Sequence, residues 1–127
     1  MTPLELAQQR IGECHRTRST ELDLSGCDLE VVPDEVFELT WLEQLNVCGW
    51  GYQGMSVGGE IQEIPSAINN LKSLKKFDCS LNNIHSLALN HLPNLQILNC
   101  SGNRINYLEI IDAPELHKID CTYIANV

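Results

Sequence analysis

Leu95-Gln96-Ile97-Leu98-Asn99-Cys100-Ser101-Gly102-Asn103-Arg104-Ile105 alternates apolar and polar residues, then turns through Ser-Gly-Asn to a new apolar position. Leu74-Lys75-Lys76-Phe77-Asp78-Cys79-Ser80-Leu81-Asn82-Asn83-Ile84 repeats the same order. From Ser19 onward the chain keeps spelling apolar-x-x-apolar-x-apolar-x-x-(Asn/Cys)-x-apolar. Units begin at Ser19, Leu42, Leu74, Leu95 and Leu116, in steps of 23, 32, 21 and 21 residues. The 32-residue step becomes 23 if nine residues are inserted between Val47 and Ile61. A fixed period of this length means units that cannot bury their own apolar faces and must stack on their neighbours.

Each unit opens with a short strand: Glu21–Leu24, Gln44–Val47, Lys76–Cys79, Ile97–Cys100 and Lys118–Cys121. Alternation turns Leu22/Leu24, Leu45/Val47, Phe77/Cys79, Leu98/Cys100 and Ile119/Cys121 inward. Parallel strands need a crossover, which the rest of each unit supplies on the convex side. Val32-Pro33 and Ile64-Pro65 lead into Asp34–Leu39 and Ser66–Leu71, long enough for one or two helical turns. His85–Leu92 and Asn106–Ala113 are too short for a regular helix and are expected as turns, 3₁₀ or extended structure.

Residues 2–18 read as one helix ahead of the array. Thr2 is a good N-cap, Pro3 suits the first helical position, and Glu5 completes a Thr-x-x-Glu capping box. Leu4, Ala7, Ile11 and Cys14 make one apolar stripe, as expected of a cap over the first unit's open end. The fold class is therefore α/β: a right-handed solenoid, a short horseshoe of about five parallel strands. Residues 1–18 form the capping helix and residues 19–127 the repeats, with an insertion at about 50–60.

The net charge is −9. Residues 1–63 carry twelve acidic and three basic side chains, and residues 64–127 carry five of each. That excess argues against nucleic acid or an anionic membrane as partner and suits a basic protein face. No secretory apolar segment and no stretch long enough to span a membrane occurs, so the chain is expected to be cytoplasmic.

Of the six cysteines, Cys79, Cys100 and Cys121 repeat at 21-residue intervals and should stack inside the core as small hydrophobes. Cys14 and Cys27 are likewise structural. Cys48, next to a strand end, should be the exposed, reactive thiol. No Cys-x-x-Cys spacing occurs, and the four histidines fall in unrelated positions, so no metal, cofactor or catalytic site is expected. A ladder of Cys27, Asn82 and Asn103 should bridge adjacent turns, because an Asn side chain both donates and accepts. Ile124 departs from that ladder.

Outward strand residues line a concave face. One column reads Asp23, Asn46, Asp78, Asn99 and Asp120, expected to hydrogen-bond from strand to strand. A second reads Ser25, Cys48, Ser80, Ser101 and Thr122, and a third Glu21, Gln44, Lys76, Ile97 and Lys118. The insertion Trp50–Gly59 combines Trp50, Tyr52 and Met55 with four glycines. Loops of that composition either contact partners or fold back over a core edge. The residues expected to touch a partner are Trp50, Tyr52, Met55, Gln44, Asn46, Lys76, Asp78, Ile97, Asn99 and Lys118.

Residues 19–127 resemble a leucine-rich repeat protein. Thr20–Leu29 followed by Val32-Pro33-Asp34-Glu35-Val36-Phe37-Glu38-Leu39 is similar to the opening repeat of bacterial leucine-rich repeat proteins, including the repeat domains attached to Roco GTPases. Cys14-His15-Arg16-Thr17-Arg18 resembles the lead-in found there. The resemblance implies a protein-interaction or regulatory module, commonly one part of a longer polypeptide; no GTPase motif occurs in this chain. After the fifth strand no polar capping segment follows, so the expectation is that the natural protein continues, or that the end is covered by a second copy through that edge or by a partner. The leading reading is a non-catalytic module that binds a protein or peptide. A regulatory fragment of a multidomain signalling protein comes second, and a thiol-redox or metal-responsive protein third.

Overall fold

The computed structural model describes residues 1–49 and 59–122. Helix α1 (Pro3–Thr17) is started by Thr2, whose side-chain oxygen accepts from the Glu5 amide at 3.1 Å, while the Thr2 amide donates to Glu5 Oε1 at 3.3 Å. Both arms of the capping box are thus made. The helix ends at Arg18 in the left-handed conformation. Ala7, Ile11 and Cys14 are buried against the first unit, but Leu4 is 52% exposed. The apolar stripe is therefore one turn shorter than expected, because the first helical turn projects past the edge it covers; Leu6 packs there instead, partly buried.

Among the described residues seven strands follow: β1 (Glu21–Asp23), β2 (Gln44–Asn46), β3 (Lys76–Asp78), β4 (Ser86–Asn90), β5 (Ile97–Asn99), β6 (Tyr107–Ile111) and β7 (Lys118–Asp120). They form two sheets. The main sheet runs β1-β2-β3-β5-β7, all parallel, and β4 pairs with β6 in a second, two-stranded parallel sheet. The main-sheet register places Glu21, Gln44, Lys76, Ile97 and Lys118 side by side, and Asp23, Asn46, Asp78, Asn99 and Asp120 beside them.

Between the sheets lies one continuous core. Leu22, Leu45, Phe77 and Leu98 stack with 0–4% exposure, and Leu24, Val47, Cys79 and Cys100 form the next layer inward. Each large side chain so buried contributes about 1.5–3 kcal/mol.

The two kinds of crossover follow from length. Pro33 and Pro65 each precede a 3₁₀ turn, Asp34–Glu38 and Ser66–Asn70, which buries Val36 and Phe37 in the first case and Ile68 in the second. The 21-residue units have two residues fewer to cross the same distance. Their chain is stretched into β4 and β6, since a strand advances about 3.3 Å per residue against about 2.0 Å for a 3₁₀ turn.

Two expectations about cysteine are corrected. Cys48 is buried, 8% exposed, because Ser80 closes over it and donates its hydroxyl to Cys48 Sγ at 3.3 Å. Cys100 and Cys121 are joined as a disulfide rather than packing as separate thiols. In-register parallel strands bring their Cα atoms to 4.6 Å, inside the range a disulfide spans. Cys14, Cys27, Cys48 and Cys79 are buried and take no part in that disulfide.

Candidate interaction surface

The concave face is organised by one repeated hydrogen-bond motif. In each strand the Asp or Asn oxygen accepts from the backbone N–H two residues on: Asp23 from Ser25 at 2.9 Å, Asn46 from Cys48 at 2.8 Å, Asp78 from Ser80 at 2.9 Å, Asn99 from Ser101 at 3.1 Å, and Asp120 from Thr122 at 3.2 Å. Where residue i+2 carries a hydroxyl, it donates to the same oxygen, at 2.5–2.8 Å. These are Asx turns, closing each strand as it bends inward. The column was expected to bond across strands; it bonds along them, because each loop's exposed amide is nearer than the neighbouring strand's side chain. One oxygen of each residue is thereby fixed.

The Asp-Asn-Asp-Asn-Asp order also limits charge repulsion. Neighbouring strands lie about 4.8 Å apart, so five successive carboxylates would repel one another strongly, and each Asn separates two of them with a neutral amide. At Asp120 the hydroxyl and amide of Thr122 hold the carboxyl below the ordinary Asp range.

The third column makes the face electrically uneven. Gln44 Nε2 donates to Glu21 Oε1 at 3.1 Å at one end, and Lys76 and Lys118 flank the half-buried Ile97 at the other. Glu43 and Lys75, one step outside it, form an ion pair at 3.1 Å. A shallow depression of about 170 Å³ opens here, lined by Glu21, Asp23, Gln44, Asn46, Lys76 and Asp78 among others.

Seven of the expected contact residues, Gln44, Asn46, Lys76, Asp78, Ile97, Asn99 and Lys118, thus share one surface. Trp50, Tyr52 and Met55 lie outside the described residues. Ser80, expected to line the face, is only 4% exposed and belongs to the sheet's interior.

The asparagine rungs of the ladder form as expected, whereas Cys27 accepts a hydrogen bond from Arg10. Asn82 Nδ2 donates to the Val47, Cys79 and Ser80 carbonyls, and Asn103 Nδ2 donates to those of Cys79, Cys100 and Ser101. Asn103 Oδ1 also accepts from the Ile84 amide at 3.0 Å, whereas buried Asn82 Oδ1 has no partner among the described residues. The difference arises at the base of the insertion: Gly49 and Gly59 approach Asn82 so closely that a Cβ on either would clash with its oxygen.

Burial holds the Cys79 thiol far above the ordinary thiol range, with Asp78 adding to the effect, so it stays protonated and inert. Burial raises Cys14 and Cys27 as well, Arg10 partly offsetting it at Cys27. Among the described residues no group of three or more His, Cys, Asp or Glu side chains is placed to hold a metal ion. No helix among them is long and apolar enough to cross a membrane.

Two residues that organise the first unit escaped the sequence reading. Arg10 Nη1 donates to the Asp23 and Ser25 carbonyls, at 3.0 and 3.1 Å, and to Cys27 Sγ at 3.5 Å. Trp41 Nε1 donates to the Ser19 carbonyl at 3.0 Å, and the Arg18 guanidinium lies 4.1 Å over the Trp41 ring. The only sequence signal for Arg10 was its place beside Ile11 on the helix face that meets β1.

In-register parallel strands, short convex crossovers and an asparagine ladder between coils define a solenoid whose units are stacked turns of one motif. Residues 94–118 match the family model described as Leucine Rich Repeat, and the described residues fold as a leucine-rich repeat solenoid. No curated protein matches it.

Proposed function

We propose that the chain is a non-catalytic recognition module whose concave sheet face binds a protein or peptide. The observation that carries this reading is the in-register face itself. Five strands present acidic, amide and basic side chains in fixed columns around one apolar side chain, Ile97. The Asx turns hold the Asp/Asn column in place before any partner arrives, so little side-chain entropy remains to be lost on binding. The partner chemistry that fits is an extended, amide-rich segment. Its basic groups meet Glu21 and Asp23, an apolar side chain meets Ile97, and a carboxylate meets Lys76 or Lys118. Trp50, Tyr52 and Met55 are proposed to extend the contact beyond the sheet, and the module to act in the cytoplasm.

A displayed library of random peptides, selected on the purified chain, tests the reading. Selected peptides should lose at least tenfold in affinity to Lys76→Glu and Ile97→Asp, and keep it against the convex Glu109→Gln. Selected binders that ignore both concave substitutions would sink the proposal.

A further inference from the structure

The repeat frame is interrupted between Gly49 and Gly59 and is kept on both sides of the interruption. Before it, the Gly49 amide donates to Ser80 O at 2.8 Å, as the Leu81 amide donates to Ser101 O at 2.9 Å and the Gly102 amide to Thr122 O at 2.9 Å. After it, the Asn83 amide donates to Ile61 O at 3.0 Å, as the Arg104 amide donates to Ile84 O at 3.2 Å. Gly49 therefore holds the place of Leu81, and Ile61 holds that of Ile84. Counting back from Ile61, Gly59 holds the place of Asn82, the residue directly after Leu81. Residues 50–58 are thus inserted whole between two positions that are neighbours in the next coil.

The two ends of the insertion also meet. A Cβ on Gly49 would lie 2.5 Å from the Gly59 nitrogen and would overlap Leu81 O, and one on Gly59 would lie 2.7 Å from Gly49 Cα. Glycine is the residue that fits such a neck.

Forming the neck costs the coil two features of the repeat. Gly26, Leu81 and Gly102 share one place in their units and take the left-handed conformation there, with φ of 74°, 57° and 68°, but Gly49 does not. Asn103 Oδ1 accepts from the Ile84 amide, yet Asn82 Oδ1, one coil earlier, does not receive the equivalent Ile61 amide and is buried without a partner among the described residues. An orphaned buried acceptor is a real loss, because its water has been removed and nothing replaces it. Such losses persist where a segment serves something other than the folding of its scaffold.

We infer that residues 50–58 are a removable graft: the solenoid closes without them and is more stable without them. Gly49 and Gly59 form an insertion-tolerant neck at which the array carries a segment of foreign sequence. With the segment removed, Gly49 is free to take the left-handed turn, and the Ile61 amide moves onto Asn82 Oδ1. The inference is independent of the concave-face reading, since it concerns how the second coil closes and not what the sheet binds.

Deleting residues 50–58 and joining Gly49 to Gly59 tests it. The deletion chain should keep the circular dichroism of the natural chain and unfold at a higher urea midpoint. Its Ile61 amide should exchange with solvent about tenfold more slowly, protected by Asn82 Oδ1. A run of Gly and Ser of equal length in place of residues 50–58 should leave the midpoint unchanged. Gly59→Asn should then act with opposite signs in two chains. In the natural chain its Cβ overlaps Asn82 Oδ1 and the midpoint falls. In the deletion chain the same asparagine becomes a further rung of the ladder, and the midpoint rises. A deletion chain that unfolds or has a lower midpoint, an unprotected Ile61 amide, a Gly-Ser replacement that destabilises the fold, or a Gly59→Asn of the same sign in both chains would each overturn the inference.

Discussion

The two ends of the sheet differ by how many of their backbone and apolar groups have been given partners. At the β1 end, Leu22 is 4% exposed beneath α1, and an arginine donates to the edge carbonyls. At the β7 end, Ile119 occupies the same place in its unit and is half exposed, and the Tyr107, Leu108 and Ile111 side chains of β6 stand open beside it. The contrast teaches that the repeat alone does not seal a solenoid. A unit inside the array is closed by its neighbours, and a unit at the end needs something chemically different, here a helix carrying one long cationic side chain.

Truncating equivalent positions gives the largest test of this contrast. Leu98→Ala should lower unfolding free energy by about 2–5 kcal/mol, and Leu22→Ala by a similar amount, because both remove buried volume. Ile119→Ala, measured at low protein concentration, should cost under about 1 kcal/mol, since much of its side chain already meets water. Chemical denaturation of the three variants checks this; a Leu22 variant that behaves like the Ile119 variant would show that α1 does not close its end.

Next in size is Arg10→Met, which keeps most of the aliphatic stem and removes the donors. The Asp23 and Ser25 carbonyls then lose their cationic partner, at about 1–3 kcal/mol, and the β1 amides should exchange faster with solvent. Unchanged stability and exchange would reduce the arginine to a surface group.

Most of this architecture was legible from the chain. The alternation in Lys76–Cys79 and Ile97–Cys100 placed the inward and outward residues, whereas counting residues between strands excluded a regular helix in the later crossovers but left turns, 3₁₀ or extended structure open, and the second sheet of β4 and β6 was not foreseen. The capping box at Thr2 was readable because it is local, with both partners inside four residues. What escaped reading depended on contacts between distant parts of the chain. Arg10 reaches β1 across thirteen residues, and Cys48 is buried by a serine thirty-two residues away. The concave column was placed correctly but its bonding was not, since period-two alternation says where a side chain points and nothing of whether it turns along or across the sheet.

The smallest expected effect sharpens the open end. Asp120 titrates below the ordinary Asp range because Thr122 donates to its charged form. The sign follows directly: a depressed folded-state value favours the folded chain above the ordinary Asp range and loses that contribution as pH falls through the depressed value. Thr122→Val removes the hydroxyl donor and leaves the amide, so the Asp120 carboxyl resonance should shift to a higher titration midpoint by NMR. A midpoint that stays put would mean the hydroxyl contributes nothing there.

The pairing of β4 with β6 has a geometric consequence. Where 3₁₀ turns form the back of a coil, the back is bulkier than the front, and successive coils must fan open. Where the back is itself a parallel sheet, front and back share the same spacing of about 4.8 Å, and successive coils translate without turning. Over the last coils the array therefore carries a parallel sheet on both faces, β3-β5-β7 in front and β4-β6 behind.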